Sequence, residues 1–129
     1  MKSKSLSILF SLALICSVIP VTESFAEDAK PIYPAGIKPI APYSPAIMYG
    51  DLLFISGQIP YVKGAIPENA KTDIKEQTKI VMENLKTVLA EAGLTFKNVL
   101  KATVFITDLS LYGDFNKVYG PYWTKDGLS

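Results

Sequence analysis

Four short segments carry the residue types that could do chemistry in this chain. They are 41–45 (APYSP), 55–60 (ISGQIP), 77–85 (QTKIVMENL) and 115–119 (FNKVY), and they offer hydroxyl, amide, carboxylate and backbone N–H groups. The sequence contains no histidine and no arginine, and its single cysteine is Cys16. Zinc and other transition-metal sites, and Ser–His or Cys–His catalysis, therefore lack their usual residues. We expect a site that uses no metal and no cofactor.

The first 26 residues have the pattern of a cleavable secretory signal. Two lysines precede an almost unbroken apolar run over Leu6–Ile19, and Ser24–Ala26 offers small residues for a signal peptidase. The run is shorter than the roughly 20 residues that cross a bilayer comfortably. We therefore predict a signal peptide over 1–26 and an exported domain over 27–129, in the periplasm or outside the cell. A retained interfacial anchor and a cytoplasmic location are the alternatives.

The charge balance of residues 27–129 argues against two classes of partner. This range contains as many acidic residues as lysines, so its net charge is zero. A neutral domain has no long-range attraction for phosphate backbones or anionic membranes. We expect neither a nucleic acid nor a membrane as a partner after signal cleavage. The range also lacks cysteine, so it forms no disulfide.

An extended arm and a hairpin are predicted ahead of the first helix. Prolines recur through 27–45, and each fixes φ and disfavours helix at the residue before it. Ala46–Met48 and Leu52–Ser56 are two apolar runs separated by a turn at Gly50-Asp51, which is the pattern of a β-hairpin. Because Leu52–Ile55 is apolar on both faces, this strand is expected to be covered on both sides or to lie at a subunit contact.

The strongest local pattern is that of a helix from Asp73 to Ala92. Asp73 and Glu76 resemble a capping box, and Gly93 is placed to end the helix. The predicted buried stripe follows three- and four-residue spacing: Ile74, Gln77, Val81, Leu85, Val88 and Ala92. A strand over Val99–Thr107 is predicted to follow, in which Ala102, Val104 and Ile106 share one side and Thr103, Phe105 and Thr107 share the other. A second helix is predicted over Leu111–Trp123. Hairpin, helix, strand and helix predict an α+β domain with both helices on one face of a sheet.

Taken together, these segments resemble the RidA/YjgF family. The resemblance rests on APYSPA, FISGQIP, the stretch DIKEQTKIVMENLKTVLAEAGLTFKNVLKATVFITDL, and FNKVY, in that order from Ala41 to Trp123. It implies a chorismate-mutase-like α+β sheet and homotrimers with ligand clefts between subunits. The family's last strands follow the second helix, so the resemblance also implies that this domain is incomplete at its C-terminus.

The resemblance implies hydrolysis of reactive enamines and imines, such as 2-aminoacrylate, to a keto acid and ammonia. Carried over by residue, Tyr43 lines the pocket, Ser56 and the Gly57 backbone face a small 2-imino acid, and Asn116 closes one wall. Ser56 and Asn116 are the implied catalytic residues. A hydroxyl and backbone N–H groups at a strand end can orient a carboxylate or a water without a metal.

Other interpretations of these residues stay open. In the structural alternative, Tyr43 packs its ring on the sheet edge, Ser56-Gly57 is only the exit turn of the strand, and Asn116 caps or pins a helix turn. The remaining polar and aromatic residues of the motifs are interpreted as structural, trimer-contact or core residues: Gln77, Glu83, Asn84, Tyr119, Tyr122 and Trp123.

The alternative functions also stay open. The family's deaminating members use a carboxylate-binding arginine and a C-terminal glutamate that this sequence lacks. A non-enzymatic trimeric ligand-binding or scaffold protein is therefore the first alternative. Nucleic-acid cleavage is another, and the zero net charge argues against it.

Overall fold

A computed structural model of the chain describes residues 28–35, 39 and 41–126. The predicted signal peptide over 1–26 lies outside these residues. Across the described ranges, no helix is both long and apolar enough to span a bilayer. The domain that is described is an α+β unit with a three-stranded antiparallel sheet and two helices, and residues of the third strand and of both helices pack against one buried cluster.

The sheet has three strands in the order β1-β2-β3. β2 (Ala46–Tyr49) and β3 (Leu52–Ile55) form the predicted hairpin, and Gly50 adopts a positive φ of 55° in its turn. β1 (Lys30–Ile32) pairs with the other side of β2, within the arm for which only an extended chain was predicted. Its central Pro31 suits an edge strand, because proline cannot donate a ladder hydrogen bond.

The two faces of the hairpin have different environments. Leu53 and Ile55 point toward the helices and pack against the hydrophobic core. The alternate positions face away from the helices, where Ile47 lies opposite Phe54 and Tyr49 opposite Leu52. These four side chains are 40–59% exposed in the single chain. Within this protomer, the apolar run Leu52–Ile55 is therefore covered on one of its two faces only.

Helix α1 (Ile74–Glu91) begins and ends close to the predicted positions. The Asp73 side chain accepts a hydrogen bond from the Lys75 N–H at 2.8 Å. The Glu76 carboxylate does not make the reciprocal hydrogen bond of the predicted capping box. It accepts a hydrogen bond from the Asn69 side-chain amide instead, at 3.3 Å. Gly93 has a φ of 71°, the left-handed conformation that ends a helix, and this prediction is confirmed.

The buried stripe of α1 is displaced from the predicted one. Of the six predicted positions only Val88 is buried, and the other five are half-buried. The remaining buried positions are Thr78, Met82 and Leu89. Met82 and Leu89 are buried because residues of both β3 and the second helix pack against them. The most deeply buried positions of α1 are therefore those that both elements cover.

Helix α2 (Tyr112–Asp126) follows a 3-10 turn at Leu109–Leu111, in which the Asp108 carboxylate accepts a hydrogen bond from the Ser110 N–H at 2.8 Å. It packs on α1, and the Tyr122 hydroxyl donates to the Glu83 carboxylate at 2.8 Å. Partial burial, and then this hydrogen bond to an anion, raise the pKa of Tyr122 to about 12. The aromatic residues of α2 were predicted to be core, and Tyr119, Tyr122 and Trp123 do pack against the buried cluster.

The predicted strand over Val99–Thr107 is wrong for this protomer. In the described part of the chain these residues form no strand, and Leu100 and Phe105 are 84% and 93% exposed. The predicted alternation survives, since Ala102, Val104 and Ile106 face α2. A strand needs a hydrogen-bonded neighbour, and among the described residues the sheet ends at β3 without reaching this segment.

Phe96 should be a major contributor to the stability of the fold. Its ring is 3% exposed and makes edge contacts with Tyr122 and Trp123 at centroid distances of 5.6 and 5.3 Å. We expect Phe96→Ala to lower the free energy of unfolding by about 3–5 kcal/mol, measured by urea denaturation, because a cavity replaces the ring. Leu100→Ala, at an exposed position of the next segment, should change it by less than about 0.5 kcal/mol. Equal losses in the two variants would contradict this assignment of the core.

Candidate functional site

A cleft of about 320 Å³ lies where β3 ends against the proline-rich arm. Tyr43, Ser56 and Gly57 all line it, so the structure brings together three of the four residues predicted for the site. Ala41 and Ile59 complete the wall. The sequence reasoning did not assign these two residues to the site, although both lie inside the segments that carried the resemblance. All five lining residues are uncharged.

Ser56 fixes the arm to the end of β3 through two hydrogen bonds. Its hydroxyl donates to the Ser44 carbonyl at 2.7 Å, and its backbone N–H donates to the Pro45 carbonyl at 3.0 Å. The Ser44 hydroxyl in turn bonds the Tyr33 hydroxyl at 3.0 Å. Pro45 is fully buried below this junction. The arm and the strand therefore form one rigid edge of the cleft.

The bond to Ser44 determines what the Ser56 hydroxyl can do toward the cleft. A hydroxyl has one proton, and here that proton is committed to a carbonyl. The oxygen keeps lone pairs, so it can accept a hydrogen bond from a water or from an N–H group. It cannot donate to a carboxylate while this bond is held. Of the two tasks expected of this hydroxyl, the geometry favours orienting a water.

The backbone N–H of Gly57 is the complementary group in the cleft. Within the described residues it has no hydrogen-bond acceptor. An N–H group with a free proton at the end of a strand is suited to a carboxylate oxygen. The residues that line the cleft therefore offer an acceptor, the Ser56 oxygen, beside a donor, the Gly57 N–H. The Tyr43 ring, 40% exposed, forms an apolar wall beside them.

Asn116 lies elsewhere on the protomer. It lines a second cleft of about 290 Å³, between α2 and the segment 102–106. The two clefts share no lining residue, so a single protomer does not assemble the predicted four-residue pocket. The physical reason is that Asn116 projects from α2, whereas the other three residues follow the sheet edge. The Asn116 side chain is exposed and bonds no described residue, which gives no support to a role in pinning a helix turn.

Two neighbouring residues of α1 make different connections. Glu83 accepts the Tyr122 hydroxyl and so joins the two helices. Asn84 donates from its amide nitrogen to the Ile59 carbonyl at 3.1 Å and to the Tyr61 carbonyl at 3.2 Å. Both were interpreted as structural or trimer-contact residues, and both make structural contacts here. Within the described residues, no three acidic, histidine or cysteine side chains converge as a metal site would require.

Comparison with known proteins identifies the family. The model of the endoribonuclease L-PSP family matches residues 34–128. The chain belongs to this family, which is also known as RidA/YjgF. A RutC family protein of Pyrococcus abyssi is 48% identical over 86 residues, or 67% of each chain. Protein DfrA of Myxococcus xanthus is 46% identical over 89 residues, or 67% of each chain.

Solved structures of the Rid family share the fold. A conserved Rid protein of unknown function from Yersinia pestis, YyfA, has a TM-score of 0.65 and 35% identity over 74% of this chain and 76% of its own. Escherichia coli TdcF, solved with bound serine, has a TM-score of 0.62 and 34% identity over 74% and 75% of the two chains. The predicted family and fold class are therefore confirmed.

Proposed function

We propose that this protein hydrolyses small reactive 2-enamine and 2-imino acids to keto acids and ammonia. An enamine first tautomerises to the imine, as its nitrogen loses a proton and its terminal carbon gains one. Water then adds to the imine carbon, the C=N bond becomes a C–N bond, and the imine nitrogen takes a proton. The resulting carbinolamine then expels ammonia as its hydroxyl becomes the keto group. The reaction is redox-neutral, and its needs are a positioned water and a bound carboxylate.

One observation carries the proposal: Ser56 and Gly57 present an acceptor and a donor side by side in an uncharged cleft. The Ser56 oxygen accepts a hydrogen bond from the attacking water and so aims a lone pair of that water at the imine carbon. The Gly57 N–H binds one carboxylate oxygen. The walls formed by Ala41, Tyr43 and Ile59 suit a short aliphatic side chain. Membership of the Rid family supports the same chemistry, and TdcF binds a small amino acid, serine.

We propose further that the site is completed by a second copy of the chain in a homotrimer. The outward face of the hairpin carries four exposed large apolar side chains, which an assembly would cover: Ile47, Tyr49, Leu52 and Phe54. Asn116 is exposed on another side of the protomer, and its side-chain amide bonds no described residue. In this assembly Asn116 of one copy faces the Ser56 cleft of its neighbour and binds the substrate or its leaving nitrogen.

A non-enzymatic ligand-binding role is the second candidate, because no arginine lines the cleft in the described part of the chain. A guanidinium binds a carboxylate through two parallel hydrogen bonds, which a single N–H group cannot reproduce. Loss of a hydrogen bond to a charged group weakens the binding free energy by about 1.5–3 kcal/mol. RNA cleavage, which the family description names, receives less support because the cleft has no cationic side chain to hold a phosphate.

The proposed location is outside the cytoplasm. The motivation is the signal-like pattern over 1–26, which precedes the residues that the family model matches. N-terminal sequencing of the protein from its native host should find Glu27 as the first residue. An intact Met1 on soluble cytoplasmic protein would contradict export.

Turnover can be tested directly with 2-aminoacrylate generated in situ by a serine dehydratase. We expect the full chain to accelerate release of pyruvate and ammonia, and Ser56→Ala to reduce this acceleration roughly 10- to 100-fold, because misplacing a reactant by about 1 Å costs that much. Ser44→Ala is the matched control, since the backbone carbonyl that anchors Ser56 remains. Saturable binding of 2-oxobutanoate without acceleration would support the binding protein instead. Absence of both binding and turnover would reject both candidates.

Mixing inactive variants tests the shared site. If Ser56 and Asn116 of different copies meet in one cleft, Ser56→Ala and Asn116→Ala trimers should each be impaired. Unfolding them together and refolding the mixture should restore activity, because about a quarter of the clefts in randomly mixed trimers regain both native residues. Recovery is measured by the same pyruvate assay. A mixture no more active than its components would show that the two residues do not share a cleft between copies.

A further inference from the structure

The segment from Ser56 to Tyr61 forms one wall of the cleft and has few attachments to the rest of the protomer. At its start, Ser56 is bonded to the arm. Within the segment, the Gln58 amide donates to the Ser56 carbonyl at 2.9 Å, and the Tyr61 N–H donates to the Ile59 carbonyl at 2.7 Å. Among the described residues, its hydrogen bonds to a helix all come from the Asn84 side chain.

The geometry of Asn84 is specific for an amide donor. Its nitrogen lies within hydrogen-bond distance of two carbonyl oxygens, those of Ile59 and Tyr61, at 3.1 and 3.2 Å. An amide nitrogen has two protons, so both carbonyls are satisfied at once. The flipped amide would place its oxygen against two acceptors, and this fixes its orientation. Asn84 is half-buried on α1 and does not line the cleft.

We propose that Asn84 is a positioning residue that sets the placement of the Gly57 N–H and the Ile59 wall of the cleft. The hydrogen-bonded turn around Pro60 transmits the constraint, because the Ile59 carbonyl accepts from both Asn84 and the Tyr61 N–H. The identity of the ligand rests on the proposed function, whereas the constraint on the segment does not. Asn84 thus links the rigid helix to the donor that binds the ligand carboxylate.

The neighbouring position supplies a matched control. Glu83 precedes Asn84 on the same helix but is bonded to Tyr122 of α2, away from the cleft. Glu83→Gln exchanges an acid for its amide and keeps an oxygen that accepts the Tyr122 hydroxyl. Asn84→Asp is the reverse exchange and places an acceptor against two carbonyl oxygens. Both substitutions exchange only an amide and an acid of nearly equal size, but only Asn84→Asp is predicted to change the cleft.

The test combines ¹H–¹⁵N NMR spectra of the full chain with titration of 2-oxobutanoate, a stable keto-acid probe. In Asn84→Asp we expect shifted Gly57 and Ile59 amide resonances, at least tenfold faster hydrogen exchange at the Tyr61 amide, and about tenfold weaker binding of the probe. Asn84→Gln, which keeps the donor, should recover part of the binding. Glu83→Gln should leave all three readouts unchanged. If Asn84→Asp fails to fold, Asn84→Leu removes the donor without placing an acceptor against the carbonyls, and the same shifts are expected.

Two results would overturn the proposal. One is an Asn84 variant with a lowered melting temperature but unchanged Gly57 resonances, unchanged Tyr61 exchange and unchanged probe affinity, which is the pattern of a structural residue only. The other is an equal effect of Glu83→Gln on those readouts. If the wild-type chain neither binds 2-oxobutanoate nor turns over 2-aminoacrylate, the proposed function fails. In that case the exchange rate of the Tyr61 amide still decides whether Asn84 holds the segment.

Discussion

The burial of α1 between β3 and α2 is the constraint on which the rest of this domain depends. Met82 and Leu89 of α1 form the centre of the core with Phe96, which lies just beyond the helix. Aromatic residues of α2 close this cluster from one side, and Leu53 and Ile55 of β3 close it from the other. Because protein interiors are close-packed, this contact fixes the sheet and both helices relative to each other. The cleft depends on it, since Ser56, Gly57 and Ile59 follow directly from β3 and the arm is hydrogen-bonded to Ser56.

The candidate site has an uncommon electrostatic character for a site that is proposed to bind an anion. Its lining residues have no charged side chain, and their polar groups include the hydroxyls of Ser56 and Tyr43 and the backbone N–H of Gly57. Backbone N–H groups cost no side-chain entropy when they bind, and their direction is set by the fold. Such a site gains its selectivity from placement rather than from net charge. The hydrogen bonds of Ser56 to the arm and of Asn84 to the wall provide that placement from two sides.

Much of the architecture was predictable because its determinants are local. The hairpin, both helices and the glycine that ends α1 follow from turn residues, caps and apolar spacing within a few positions. Three of the four predicted site residues meet in one cleft because all lie near the end of β3. The strand predicted over 99–107 does not form in this protomer, and its absence was not predictable in this way. Alternation describes the two faces of the segment, but strand pairing requires a neighbour that is distant in sequence.

The sequence by itself determined the residue types available for chemistry, the local elements and the family. It also determined that histidine and arginine take no part within these residues. Only the tertiary structure decided which groups meet. It placed Tyr43 of the arm in the same cleft as Ser56, directed the Ser56 proton to Ser44, and separated Asn116 from both. Hydrogen-bond direction and contacts between distant segments are set by packing in three dimensions, and no local pattern encodes them.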